Sequence, residues 1–239
     1  MPNSYSKLSL LGLHFQFWIF LHIQKQIITQ YFSKDESQKI ISDAKIEFKC
    51  LIPRIPFIGG KKNFFTQFLL KSALCIPIVK VLKKLQVSQS TIGEIIYKSS
   101  DRAFDIIQKP FKKKFQKSIF SYAQKEQMKQ IATRPSCEIH PMDWKMTYEE
   151  EDPNDKNYSI IYSECGIVKF WKAENLQEFI PYMCLTDFIK WDNADLNVSR
   201  QFTLGNGGPY CDFHFHGFGT SGYRGWPPEK AEEWKHHTM

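Results

Sequence analysis

The sequence predicts an α+β fold, an N-terminal helical half followed by an antiparallel sheet. Three observations carry that expectation. Apolar residues recur at helical spacing up to about residue 135. Beyond Pro135 the stretches "DWKMTYEE", "NYSIIYSEC", "LNVSRQFTL" and "YCDFHFHG" alternate with a period of two. The two strand pairs flank residues 167–192, which return to helical spacing, so the order is strand, strand, helix, strand, strand. Residues 1–217 are expected as a single domain, with 1–135 its helical part and 136–217 its sheet-and-helix part. Residues 218–239 are expected as a C-terminal tail, exposed from 222 onward.

The helical part opens with the apolar run of residues 6–32. Ser33 and Lys34-Asp35-Glu36-Ser37 interrupt it, and a second helix runs to about residue 48. "CLIPRIPFIGGKKN" reads as irregular chain, because Pro53 and Pro56 deny a helix and Gly59-Gly60 permits a turn at positive φ. Residues 64–85 read as one helix with a kink at Pro77. Ser88 or Ser90 caps a helix ending near Ile107, and Pro110 starts a lysine-rich helical stretch to about Ile131. In the second half "EDPNDKN" reads as the turn between the first two strands, and Gly205 to Pro209 as the turn between the last two.

With 239 residues, 42% of them hydrophobic and 20 of them Phe, the chain can fill a sizeable core, which argues against disorder. The net charge of +7 is uneven. Residues 1–135 hold 23 Lys/Arg against 8 Asp/Glu, and residues 136–239 hold 9 against 17. A basic half can mark a nucleic-acid or membrane surface. The basic residues are scattered Lys with no nucleic-acid motif, so docking of the basic half on the acidic one, or plain solvation, is the expectation, with no nucleic-acid partner. Six cysteines without a C-x-x-C pair fit no disulfide scaffold and point to a reducing, cytoplasmic location. The stretch "LSLLGLHFQFWIFLHI" is short for a membrane span and lacks a signal-peptide cleavage pattern. A buried helix is expected there, with membrane contact through residues 8–32 as the lesser alternative.

The last strand carries the densest chemistry. Asp212, His214 and His216 share one face, and Cys211, Phe213 and Phe215 the other, which is the natural core face. Arg200 lies on an otherwise apolar face of the preceding strand, so a carboxylate partner is expected from the protein or from a ligand. On the helix before it, Cys184, Asp187 and Trp191 fall on one stripe. A carboxylate beside a thiol raises the thiol pKa, so Cys184 reads either as a small core residue or as a nucleophile that needs a cation nearby. Cys165, Cys184, Cys211, His214 and His216 are zinc-ligand types, but Cys211 points away from both histidines and no metal motif is present, so no metal is expected. "IGGKK" lacks the P-loop pattern and reads as plain loop.

Residues "IPFIGGKKNFFTQFLLKSALCIPIVKVLKKLQVSQSTIGEIIYK", "ECGIVKFWKAENLQEFIPYMCLTDF" and "RQFTLGNGGPYCDFHF" resemble the L-2-amino-thiazoline-4-carboxylic acid hydrolase family. The resemblance spans roughly residues 50–216. It rests on Cys165, Pro181, Cys184, Asp187, Arg200, Thr203, Leu204, Gly207, Gly208, Cys211, Asp212 and Phe213, in that order and spacing. Family members often carry Arg after Cys-Asp-Phe, where this chain has His214, a difference that bears on substrate choice. The resemblance implies a hydrolase of cysteine metabolism that opens a small cyclic C–N/C–S substrate to N-carbamoyl-L-cysteine, without a cofactor. A non-catalytic small-molecule-binding domain on the same scaffold is the alternative. Under the hydrolase reading Asp187 and Asp212 hold the amidine nitrogens, and Arg200 holds the ring carboxylate. Cys184 attacks, or water does so under His214 or His216. Cys211, Thr203 and His216 complete the substrate contacts.

Overall fold

The computed structural model describes residues 4–150, 156–219, 223 and 225–236. Helix α1 (Lys7–Ile28) starts at Ser6, whose hydroxyl accepts from the Ser9 amide. Helix α2 (Lys34–Leu51) starts at Ser33 in a reciprocal cap, where Ser33 Oγ accepts from the Glu36 amide and Glu36 accepts from the Ser33 amide. These side chains satisfy amides that the first helical turn leaves open. Two short 3₁₀ turns, Ile52–Arg54 and Gly60–Lys62, replace the irregular stretch, with Gly59 and Gly60 both at positive φ.

The single helix expected over 64–85 is two, α3 (Thr66–Ala73) and α4 (Ile76–Lys84). Pro77 has no amide to continue the helix and its ring crowds the carbonyl of Ala73, so the chain restarts with Pro77 in the first turn of α4. Ser88, rather than Ser90, caps α5 (Gln89–Ala103), which relaxes into a π turn at Phe104–Gln108. The lysine-rich stretch is likewise divided into α6 (Lys112–Ile119) and α7 (Tyr122–Ala132), because Ser121 caps a new helix.

The sheet contains β1 (Lys145–Glu149), β2 (Asn157–Glu164), β3 (Leu196–Ser199) and β4 (Cys211–Phe218), antiparallel throughout in the order β1-β2-β4-β3. Between β2 and β3 lie two helices, not one, α8 (Gly166–Ala173) and α9 (Ile180–Asn193). Asn175 adopts a positive φ and breaks the helical path there. Residues 151–155 of the expected turn "EDPNDKN" lie outside the described residues, as do 237–239.

Cross-strand partners fix which face is inside. Tyr158 pairs with Phe215, Ile160 with Phe213 and Tyr162 with Cys211, so these side chains line one face of the sheet. That face packs on the helices through Phe213 against Trp191 and Tyr162 against Phe65. Helix α5 crosses α9 closely at Gly93, where an added Cβ would lie 2.2 Å from the Tyr182 ring.

Helix α1 is not the fully buried helix expected. It buries Leu13, Phe17, Phe20 and Leu21, but Leu8, Leu11, Phe15 and Trp18 remain exposed. Among the described residues no helix is long and apolar enough to cross a membrane. The basic first half meets the acidic second half through Arg54 and Lys80 with Glu174, Lys112 with Asp195, and Arg134 with Asp143.

The C-terminal stretch departs most from expectation. Ala231 and Glu233 are buried, not exposed, and Trp226 stacks on Tyr97 while Trp234 meets the Tyr182 ring edge-on. Two tryptophans give this segment apolar area to bury against α5 and α9.

Glu174 is buried, and burial alone would raise its pKa. Arg54 and Lys80 outweigh this and hold it below its ordinary value of 4.5. Its ion pairs therefore stabilise the fold above about pH 4.5 and are lost as pH falls through the lower folded value. Glu174→Gln should cost about 2 kcal/mol at pH 7 and flatten the loss of stability on the acid side, both read by urea unfolding across pH. An unchanged acid limb would show that Glu174 does not set it.

Candidate functional site

A cavity of about 540 Å³ lies between the inner face of the sheet and the helices. Helix α9 presents one stripe to it, Met183, Cys184, Asp187, Lys190 and Trp191, at the three- and four-residue spacing of a helix face. Cys211 of β4, Tyr162 of β2, Cys165 at the start of α8 and Lys71 of α3 add polar atoms to the wall, and Phe213 of β4 adds an aromatic face. Phe15, Ile19 and Phe20 of α1 and Met128 of α7 supply apolar wall.

Arg200 organises this wall. Its side chain is 1% exposed. Nε and Nη2 donate to the two carboxylate oxygens of Glu233 at 2.5 and 2.6 Å. Nη1 donates to Asp187 Oδ2 at 2.9 Å, and Nη2 also donates to the Cys184 carbonyl at 3.0 Å. The guanidinium carbon lies 5.0 Å from the ring centres of Phe188, Trp191 and Phe213. Burial works against the charge, but Glu233 and Asp187 outweigh it and raise the Arg200 pKa. The carboxylate partners anticipated for a buried arginine both come from the protein. Arg200 is thus not free to clamp a substrate carboxylate. It holds Asp187 in place, leaving Asp187 Oδ1 with no hydrogen bond to a described residue. The Asp187 side chain is 43% exposed within the cavity wall.

The strand bearing Arg200 is shorter than expected because of Asp212. Its carboxylate accepts from the amides of Gln201 and Phe202, at 3.1 and 2.6 Å, in place of ladder acceptors. β3 therefore stops at Ser199. Asp212 is a buried anchor for this loop and does not line the cavity. Thr203 is buried and its hydroxyl accepts from the Asn206 amide, which makes it a turn cap. Gly207 supplies the positive φ that closes this turn. Gly205 lets the turn approach α9, since an added Cβ would lie 2.8 Å from Cys184 Sγ.

His214 and His216 lie on the opposite sheet face from the cavity, as strand alternation requires. His214 Nδ1 shares a hydrogen bond with Ser159 Oγ at 2.8 Å, and His216 Nε2 with Ser199 Oγ at 2.9 Å. Neither is positioned to act on a cavity ligand. The structure thus gathers Cys184, Asp187, Arg200 and Cys211 and leaves Asp212, Thr203, His214 and His216 outside.

Three thiols line the cavity, and burial raises all of them. Cys165 rises to about 11, Cys211 to about 12 and Cys184 well above its ordinary 9.0. Arg200 pulls Cys184 down without cancelling the effect of burial. All three are therefore protonated near neutral pH. Among the described residues no group of three His, Cys, Asp or Glu is placed to hold a metal ion.

Glu233, Lys190, Lys71 and Tyr162 were not singled out from sequence. Lys190 follows Asp187 by three residues, so the stripe that revealed Asp187 also contained it. Glu233 sits in "EEW" beside a tryptophan, a faint sign that this stretch docks.

The α+β fold thus encloses a cavity of small-ligand size whose wall gathers charged groups from separate elements. The chain belongs to the L-2-amino-thiazoline-4-carboxylic acid hydrolase family, whose model matches residues 67–215. No curated protein and no solved structure matches it.

Alkylation with iodoacetamide at pH 7.5 should label the exposed Cys50 and Cys137 within minutes and leave Cys165, Cys184 and Cys211 intact until the protein is unfolded. Peptide mass spectrometry reads this directly. Fast labelling of Cys184 in the folded protein would contradict a thiol held protonated near neutral pH.

Proposed function

We propose that the protein is a ring-opening hydrolase acting on a cyclic isothiourea such as L-2-amino-thiazoline-4-carboxylate. One observation carries this beyond family membership: Asp187 lines the cavity with only one of its carboxylate oxygens engaged by Arg200. The target carbon is bonded to two nitrogens and one sulfur. Protonation of the ring makes that carbon electrophilic, and a carboxylate attracts such a cation. Asp187 takes a proton from water as the oxygen attacks this carbon. The carbon–sulfur bond then breaks, the proton on Asp187 passes to the departing sulfur, and the hydroxyl left on the carbon gives its remaining proton to solvent as the carbonyl of N-carbamoyl-L-cysteine forms. One water is added and nothing is oxidised or reduced.

Cys184 is not the nucleophile in this reading, because burial keeps its thiol protonated. Water serves in its place. Arg200 is a positioning residue, acting through Asp187. The outward-facing histidines take no part.

Purified protein incubated with L-2-amino-thiazoline-4-carboxylate should give a product heavier by one water and a new free thiol. Asp187→Asn keeps an oxygen for Arg200 but removes the base, and should lower kcat by about 100-fold or more. Cys184→Ser should retain activity within a few-fold. A Cys184→Ser enzyme that is dead yet folded would restore the thiolate mechanism. Absence of product from the wild type would leave the non-catalytic binding domain.

A further inference from the structure

We propose that the cavity takes an amphipathic carboxylate, its anionic head held by Lys71 and Lys190 and its apolar chain lying along α1 and α7. This rests on the preceding reading only in taking the same cavity as the site.

The first observation is a pair of cations in the cavity wall with no hydrogen-bonded acceptor among the described residues. Lys190 and Lys71 both line the cavity and are near enough to repel one another. Neither ammonium donates a hydrogen bond to a described residue. Lys190 Nζ sits 4.9 Å from the centre of the Phe115 ring and 5.3 Å from that of Phe68, so aromatic faces, not acceptors, hold it. Burial lowers the pKa of both lysines, although Asp187 partly offsets this at Lys190. Asp187 is a single carboxylate beside two ammonium groups, and Arg200 already draws on its charge, so the wall keeps an excess of positive charge that suits an anion. Arg200 cannot be competing for the same head, since Glu233 and Asp187 occupy it.

The second observation is size. At about 30 Å³ per non-hydrogen atom, the share of a water in the liquid, an amino-acid heterocycle of about nine such atoms takes about half the cavity. The cavity measures about 540 Å³. The rest is room for about eight to ten further atoms. Phe15, Ile19, Phe20, Ile107 and Met128 face that room, which therefore favours hydrocarbon. Phe15 and Ile107 also reach solvent, so the apolar part of the wall extends to the protein surface. Charge selects a carboxylate head, and wall chemistry selects an aliphatic extension.

Calorimetric titration with sodium butyrate, hexanoate, octanoate and decanoate tests both features without requiring turnover. Affinity should rise about 3- to 4-fold per added methylene until the cavity fills. Octanoate should bind at least 10-fold more tightly than 1-octanol or octyltrimethylammonium. Lys190→Met and Lys71→Gln, each checked for an unchanged melting temperature, should remove the preference for octanoate while leaving 1-octanol binding as it was. Affinity independent of chain length, or equal for octanoate and octyltrimethylammonium, would overturn the proposal. So would an octanoate preference surviving in both variants. Turnover of the aminothiazoline carboxylate bears on the ring-opening reaction alone, so the two readings fail separately.

Discussion

The structure depends on one buried cation. Arg200 carries a full charge into a space walled by Phe188, Trp191 and Phe213, and an arginine cannot shed that charge by deprotonation. Leaving it unpaired would be prohibitive, so the fold must deliver carboxylates to it. Glu233 arrives from the C-terminal segment and Asp187 from α9. Each delivery has a structural consequence. The first ties the chain end over the cavity wall, where Asn206 Nδ2 also donates to the Glu233 carbonyl. The second holds in place the carboxylate that, among the described residues, lines the cavity.

A chain of local choices supports that arrangement. Asp212 draws the Gln201 and Phe202 amides out of the ladder, which ends β3 and lets Arg200 turn inward. Thr203 and Gly207 close the following turn, and Gly205 keeps it tight against Cys184. The residues that surround the glycine loop are thus a mount for the site. The polar stripe of the cavity wall is carried on α9, on the helix side of the sheet and away from its outer surface.

Much of this was legible in the sequence, for identifiable reasons. Period-two alternation in four stretches gave the four strands, because one sheet face is buried and polar residues cannot share it. The α9 stripe of Cys184, Asp187 and Trp191 was visible because helix spacing places them together. The need of Arg200 for a carboxylate followed from its apolar neighbours. What was illegible depends on distance along the chain. Glu233 is 33 residues from Arg200, in a stretch whose polar composition resembles solvated chain. Lys71 reaches the cavity from a helix more than one hundred residues before α9, and no local pattern marks it. His-x-His next to an Asp suggests catalysis from sequence, and the alternation of β4 sets both histidines on the sheet face away from this cavity. Helix breaks at Leu74, Asn175 and Phe120 were missed because the apolar period continues across them.

Arg200 and Glu233 act as a single unit joining the C-terminal segment to the cavity wall. A double-mutant cycle on unfolding free energy, with Arg200→Met, Glu233→Leu and the pair combined, tests it most directly. Each single change strands a buried charge, or loses its partner, and should cost about 3–5 kcal/mol. The double variant should cost less than the sum of the two by about 2 kcal/mol or more. Additivity within about 0.5 kcal/mol would mean that the two residues contribute independently, and would contradict the account.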